Sequence, residues 1–252
     1  MAESRKTPVI AGNWKMHKGP EAARSFCREY AQVAPPASDR TVLLFPPALS
    51  VPAVRASLEG HDIGVGVQNI HWEPQGAFTG EISASMAAEA GATFALVGHS
   101  ERRHVFGEAD EETGRKVVAA VEAGLVPVLC VGETLEERKA GRLEEVILRQ
   151  LDAGIAGIPD DAVAGMLVAY EPVWAIGTGE TATPADATDA HGRLRARLRD
   201  RIGDAAAGVP ILYGGSVKPH NATELLAAGD VDGVLVGGAS LDPRDFGKIA
   251  AA

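Results

Sequence analysis

Eight short apolar runs rich in β-branched residues recur along the chain, over residues 8–12, 41–45, 63–67, 94–97, 126–131, 166–169, 210–213 and 233–236. Each is continuous rather than alternating, the pattern of a strand buried on both faces, as strands of parallel sheets are. Between most of them lie stretches with apolar residues at helical spacing: 20–33, 111–123, 143–155, 184–202 and 221–228. Strand followed by helix, repeated, supplies the right-handed crossovers that parallel strands require. The pattern therefore predicts an α/β protein.

Dividing the 252 residues among eight such units leaves about 31 for each, the size of one strand, one helix and their connections. No Pro/Gly/Ser-rich linker, block of like charge or low-complexity tract interrupts the series, so residues 1–252 read as a single domain. The expected architecture is a closed eight-stranded parallel (β/α)8 barrel, with an open doubly wound sheet as the alternative. One connection breaks the rhythm. Residues 68–83 are long, lack helical period and carry Trp72 and Phe78, features of a functional or interface loop.

Composition narrows the function. Hydrophobic residues at 46% and charged residues at 23% match ordinary globular usage, which argues against disordered, collagen-like and membrane-spanning classes. Lys and Arg number 24 against 34 Asp and Glu, a formal charge of −10, so no nucleic-acid partner is expected and any anionic ligand must be attracted locally. Cys27 and Cys130 show neither metal-ligand spacing nor a disulfide framework, and residues 1–15 hold no long apolar segment, so a cytoplasmic protein is expected.

In parallel α/β proteins the residues just after the strands share one rim, and ligands bind there. After the first run stand Asn13, Trp14 and Lys15; after the fourth, His99, Ser100 and Glu101; after the sixth, Glu171. Gly214, Gly215 and Ser216 follow the seventh, and Gly237 and Gly238 the eighth. Taken singly each has an ordinary explanation: a solvated lysine, a satisfied histidine, an ion-paired glutamate, two turns. Converging on one rim they supply a carboxylate, an imidazole, an ammonium and glycine N–H groups, the parts needed to hold a phosphate ester and move a proton. A hydrophobic wall beside Glu171 is expected to raise its pKa and make it a better base. Residues 172–182 carry an apolar middle between Pro172 and the pair Gly177 and Gly179, which suits a lid that excludes water.

Other motifs fail on context. Gly177-x-Gly179-x-x-Ala182 matches the dinucleotide fingerprint as a string but lies six residues beyond its strand. No HExxH, paired CxxC or Walker A sequence occurs, so no metal is expected.

The strings Gly12-Asn13-Trp14-Lys15, Val97-Gly98-His99-Ser100-Glu101-Arg102-Arg103, Cys130-Val131-Gly132-Glu133-Thr134, Ala169-Tyr170-Glu171-Pro172-Val173-Trp174, Tyr213-Gly214-Gly215-Ser216-Val217 and Leu235-Val236-Gly237-Gly238-Ala239-Ser240 occur in order over nearly the whole chain. Together they resemble the triosephosphate isomerase family. The resemblance implies a TIM barrel that interconverts dihydroxyacetone phosphate and D-glyceraldehyde 3-phosphate through an enediolate, without a cofactor. It implies Glu171 as the base, His99 as a neutral electrophile, Lys15 and Asn13 at the developing oxyanion, and Glu101 in support. By the same resemblance, backbone N–H groups of Gly177, Ser216, Gly237 and Gly238 hold the phosphate. A homodimer is implied too, with the loop 68–83 reaching into a second subunit beside Lys15. Glu180 stands where the family commonly has Lys or Arg at the far end of the lid. Two other readings stay open from the residues alone: another phosphate-binding barrel enzyme, and a non-catalytic barrel kept as a scaffold.

Overall fold

The computed structural model describes residues 7–34, 39–176 and 182–252. The apolar runs form strands β1 (Val9–Asn13), β2 (Thr41–Phe45), β3 (Ile63–Val67), β4 (Phe94–Val97), β5 (Val126–Val131), β6 (Leu167–Tyr170), β7 (Ile211–Tyr213) and β8 (Gly233–Val236). Each strand pairs in parallel with the next, and β8 returns to β1 with Val9 opposite Gly233, so the sheet closes into an eight-stranded barrel. Closure rules out the open doubly wound sheet. Three strands differ from the sequence reading: β1 runs Val9–Asn13 instead of 8–12, β6 runs Leu167–Tyr170 instead of 166–169, and β7 starts at Ile211 instead of 210. Pro8 has no N–H for the ladder, although its carbonyl still accepts the Thr41 N–H at 3.1 Å.

The apolar runs are continuous because both faces of each strand are covered. Val9, Ala11, Leu43, Phe45, Phe94, Leu96, Val128, Cys130, Leu167, Ala169, Leu212 and Leu235 fill the barrel interior. Their neighbours, Ile10, Val42, Leu44, Val97, Leu129, Val168 and Val236 among them, pack outward against the helices. Inside, Gly64 and Gly66 of β3 leave space for aromatic rings: a Cβ on Gly64 would stand 2.7 Å from Cε2 of Phe94, and one on Gly66 would overlap the Phe45 ring. Burying each such ring stabilises the fold by about 1.5–3 kcal/mol.

The long helices start and stop where local chemistry directs. Pro20–Val33 has proline in its first turn and buries Ala23, Phe26, Cys27 and Tyr30, one stripe at helical spacing. Pro184–Ile202 is capped by the Thr183 hydroxyl, which accepts the Asp186 N–H at 3.2 Å, while Asp186 accepts the Thr183 N–H in return at 2.9 Å. Its positive-φ C-cap is Gly203. Arg193, Arg197 and Arg201, one helical turn apart, ion-pair with Glu144, Asp152 and Asp160 on the neighbouring elements. These pairs are exposed, so they add little to stability. Arg195 points the other way, is buried, and donates to the carbonyls of Ala206 (2.6 Å) and Val209 (2.5 Å) and to Asp232, bracing the N-terminal ends of β7 and β8.

Short helices over Val51–Ser57, Ala84–Glu89, Ser100–His104, Leu135–Lys139, Asp160–Gly165 and Pro243–Ala250 were not legible as periodicity, since few turns leave little pattern to read. Pro243–Ala250 did carry a start signal: Asp242 accepts the N–H groups of Arg244 (2.8 Å) and Asp245 (3.0 Å), ahead of a proline at the first helical position. Residues 68–83 form no helix, as expected. Among the described residues no helix is long and apolar enough to cross a membrane.

Candidate active site

The C-terminal ends of the strands surround a cavity of about 520 Å³ whose walls include Asn13, Lys15, His99, Glu171, Ser216, Gly237 and Gly238. Every described residue that sequence reasoning offered for catalysis or phosphate binding therefore faces one space. Gly177 lies outside the described residues, as do Gly179 and Glu180 of the lid. Of residues 172–182, expected to form a lid, Val173–Ala175 make a short 3₁₀ turn, and Ala175 and Ile176 line the cavity.

Asn13 ends β1, and its Oδ1 accepts the backbone N–H of Lys15 at 3.0 Å. Lys15 adopts φ +50°, an uncommon conformation for a side-chain-bearing residue that costs on the order of 1–3 kcal/mol. Side chains capture both of its backbone groups: Asn13 takes the N–H, and Gln68 Nε2 donates to the carbonyl at 2.8 Å. Gln68 Nε2 also donates to the Phe45 carbonyl at 2.8 Å, fastening this turn to the end of β2. The result carries the lysine ammonium to Glu101, 2.6 Å from its Oε1. Glu101 thus contacts Lys15 directly, without lining the cavity.

His99 caps the helix Ser100–His104, and its Nδ1 accepts the Glu101 N–H at 3.2 Å. That bond assigns the proton of the neutral ring to Nε2. Nε2 lies 2.9 Å from Glu171 Oε1, and the other oxygen of Glu171 accepts the Ser100 N–H at 2.7 Å. Both side chains are buried. Burial acts to raise the Glu171 pKa, but the charge and hydrogen bond of His99, the Ser100 N–H and Lys15 together hold it below the usual carboxylate range. The expected upward shift is therefore reversed, because specific donors outweigh the hydrophobic wall. Burial likewise pushes His99 down, and the adjacent Glu171 carboxylate, by charge and hydrogen bond, brings it up.

Several supporting roles escaped the sequence reading, including that of Gly214, which it placed on the rim only as a phosphate-binding glycine. A Cβ at Gly214 would stand 2.9 Å from Glu171 Cγ, and one at Gly132 would overlap the Glu171 carbonyl, so two glycines just after the flanking strands make room for the glutamate. Gln150, buried on a helix, holds Gly132 through both of its amide atoms, at 2.7 and 3.2 Å. Glu133 is fully buried and accepts from Trp174 Nε1 (2.8 Å), Tyr170 Oη (3.1 Å) and Arg138 (3.3 Å), tying the residues on either side of Glu171 to the end of β5. Burial lifts its pKa above the usual range despite those donors. The glycines and Glu133 sat within recognisable strings, whereas nothing local marks Gln150. Cys130, buried beneath Glu171, has its thiol pKa raised well above normal by burial and by the glutamate's charge, which makes it inert as a nucleophile.

Comparison with known proteins adds an independent observation. The family model for triosephosphate isomerase matches residues 8–252. A triosephosphate isomerase of Symbiobacterium thermophilum is 48% identical over 98% of this chain and 97% of its own length. One from Pseudomonas paraeruginosa is 50% identical over 98% of both chains. The crystal structure of triosephosphate isomerase from Bartonella henselae superposes with a TM-score of 0.87 at 42% identity, covering 96% of this chain and 97% of that one.

Proposed function

Because the chain belongs to the triosephosphate isomerase family, its reaction is the interconversion of dihydroxyacetone phosphate and D-glyceraldehyde 3-phosphate, and we propose that the pair Glu171 and His99 carries its proton transfers. The observation that supports this reading is the 2.9 Å contact between His99 Nε2 and Glu171 Oε1 on the wall of a cavity that Lys15 also lines.

In the proposed mechanism the Glu171 carboxylate takes a proton from the carbon beside the substrate carbonyl. The C–H electron pair becomes the C=C bond of an enediolate, and the carbonyl π pair moves onto oxygen. The His99 Nε2–H and the Lys15 ammonium stabilise that oxygen, with the Asn13 amide as a further donor. His99 Nε2–H then gives its proton to that oxygen and takes the hydroxyl proton from the oxygen of the neighbouring carbon as Glu171 returns its proton to that carbon, so that a C=O forms on one carbon and an O–H on the other and the isomerisation is complete. Moving towards the substrate takes Glu171 away from His99 and the Ser100 N–H. Burial then remains as the dominant influence and raises its basicity at the point of use. Without the adjacent carboxylate, His99 loses its largest upward push, and burial and Lys15 favour the neutral ring against the smaller pull of Glu101.

Backbone N–H groups of Ser216, Gly237 and Gly238, with Gly177, are assigned to the phosphate. Anchoring that non-reacting group orients the carbons that do react. The chain's formal charge of −10 repels dianions at long range, so attraction is concentrated at this rim.

The working form proposed is a homodimer. Met16, Leu49, Phe78, Val105 and Phe106 are exposed and follow β1, β2, β3 and β4 in turn, four adjacent strands of the barrel. So large an apolar sector calls for a partner, and Lys15 adjoins Met16 within it. The loop 68–83 is stiffened for insertion by His71, whose ring lies 4.2 Å from those of Trp72 and Phe78. A cytoplasmic location is proposed, consistent with the free buried thiols Cys27 and Cys130.

The test is turnover of D-glyceraldehyde 3-phosphate in D₂O. Deuterium should appear on the product carbon that receives the proton. Isomerisation without any deuterium uptake over repeated turnovers would rule out a carboxylate base that exchanges with solvent, and no turnover would overturn the activity itself.

A further inference from the structure

We propose that Ser240 is a positioning residue that aims the Gly238 N–H at the substrate phosphate, an inference that rests on the phosphate site assigned above. Ser240 lies in the 3₁₀ turn Gly238–Leu241 immediately after β8 and is fully buried. Its hydroxyl donates to the Gly237 carbonyl at 2.7 Å and stands 3.4 Å from the Asn13 carbonyl at the end of β1. Its backbone N–H donates to the same Gly237 carbonyl at 2.8 Å.

Satisfying that carbonyl requires one donor, and the backbone N–H already provides it. The hydroxyl adds direction. A trans peptide is planar, with its C=O and the following N–H pointing opposite ways. The Gly237 carbonyl and the Gly238 N–H belong to one such plane, so two donors gripping the carbonyl from the protein side turn the N–H outward. Gly237 and Gly238 both line the cavity, which places that N–H where an anionic group would be received. Neither glycine has a side chain with which to hold its own orientation.

The contact also joins two parts of the site. Through the Asn13 carbonyl, Ser240 reaches the strand end that sets Lys15, so the phosphate-binding turn and the ammonium share one brace. Space for it exists because Gly12 lacks a side chain: a Cβ there would stand 3.1 Å from Ser240 Cβ. Cysteine is the conservative replacement, keeping the shape with a weaker donor.

The full-length protein and S240A are compared by steady-state kinetics on D-glyceraldehyde 3-phosphate and by inhibition with inorganic phosphate. KM and the phosphate inhibition constant should rise together, by about fivefold to tenfold, while kcat changes by less than about threefold, with S240C in between. In amide NMR, adding inorganic phosphate should shift the Gly238 resonance in the natural protein and shift it less in S240A. Unchanged KM and phosphate inhibition in S240A would overturn the proposal, as would a fall in kcat alone. If S240A does not fold, S240C carries the same comparison. Should the natural protein bind phosphate yet turn over no triose phosphate, the isomerase reading fails while the NMR titration still judges Ser240.

Discussion

His99 Nε2 lies 2.9 Å from Glu171 Oε1, fastening the residue that follows β6 to the residue that caps the helix after β4. The contact sets the electrostatics of both groups before substrate arrives. Glu171 waits as an ionised base, held by donors it must leave, and His99 offers a proton on the one nitrogen that faces the site.

From that contact follows the titration of Glu171. In the free protein its carboxyl should titrate below the ordinary glutamate value of about 4.3, as followed by ¹³C NMR of the carboxyl carbon. A depressed pKa contributes stability that is present above the unfolded value and is lost as pH falls through the folded one. His99→Gln removes the largest of the influences that hold the Glu171 pKa down, so that pKa should rise in this variant. A Glu171 that titrates the same with and without His99 would contradict the pairing.

His191 predicts an acid weakness away from the site. It is fully buried, donates to or accepts from no side chain at Nε2, and contacts the Asp230 carbonyl through Nδ1 at 2.9 Å. Burial lowers its pKa to about 4. The unfolded chain binds this proton from about pH 6.5 downward, so stability should decline between about pH 6.5 and pH 4 and level off, for this group, below that. The group's share is on the order of 3 kcal/mol. Urea unfolding of His191→Gln at pH 7 and pH 4.5 should show a smaller loss between the two than the natural chain does.

Gly214→Ala should slow the chemistry without unfolding the barrel. The new methyl would stand 2.9 Å from Glu171 Cγ and 3.1 Å from the Tyr170 carbonyl, displacing the base by a fraction of an ångström. A fall in kcat of about a hundredfold is expected, with KM nearly unchanged and the melting temperature only modestly lowered. Full activity would show that the glutamate has room to spare.

The apolar sector predicts self-association. Light scattering should return about twice the chain mass for the natural protein. Phe106→Glu places a charge on that sector, where Phe106 is now 67% exposed, and should weaken the dimer by about a hundredfold or more. A fully active monomer of the natural chain would contradict the assembly.

Much of this was legible along the chain, for definable reasons. Strands covered on both faces read as unbroken apolar runs, which is why β2, β3, β4, β5 and β8 fall where the pattern put them. The rim residues Lys15, His99 and Glu171 could be singled out because strand ends share one side of a parallel barrel. What escaped was relational. Gln68 shows its purpose only against the left-handed Lys15, and Gln150 only against Gly132, eighteen residues away just after β5. The expected rise in the Glu171 pKa failed similarly: the apolar strand before it is visible in the chain, but the Ser100 N–H and the His99 ring that reverse the shift come from β4's end, some seventy residues away.

The central claim is that Glu171 is the base, and a coupled spectrophotometric assay of Glu171→Gln on D-glyceraldehyde 3-phosphate tests it most directly. The variant keeps the shape and loses the proton acceptor, so kcat should fall by about a thousandfold or more while the protein remains folded and still binds inorganic phosphate. A folded, phosphate-binding Glu171→Gln that turns over at the natural rate would contradict the account.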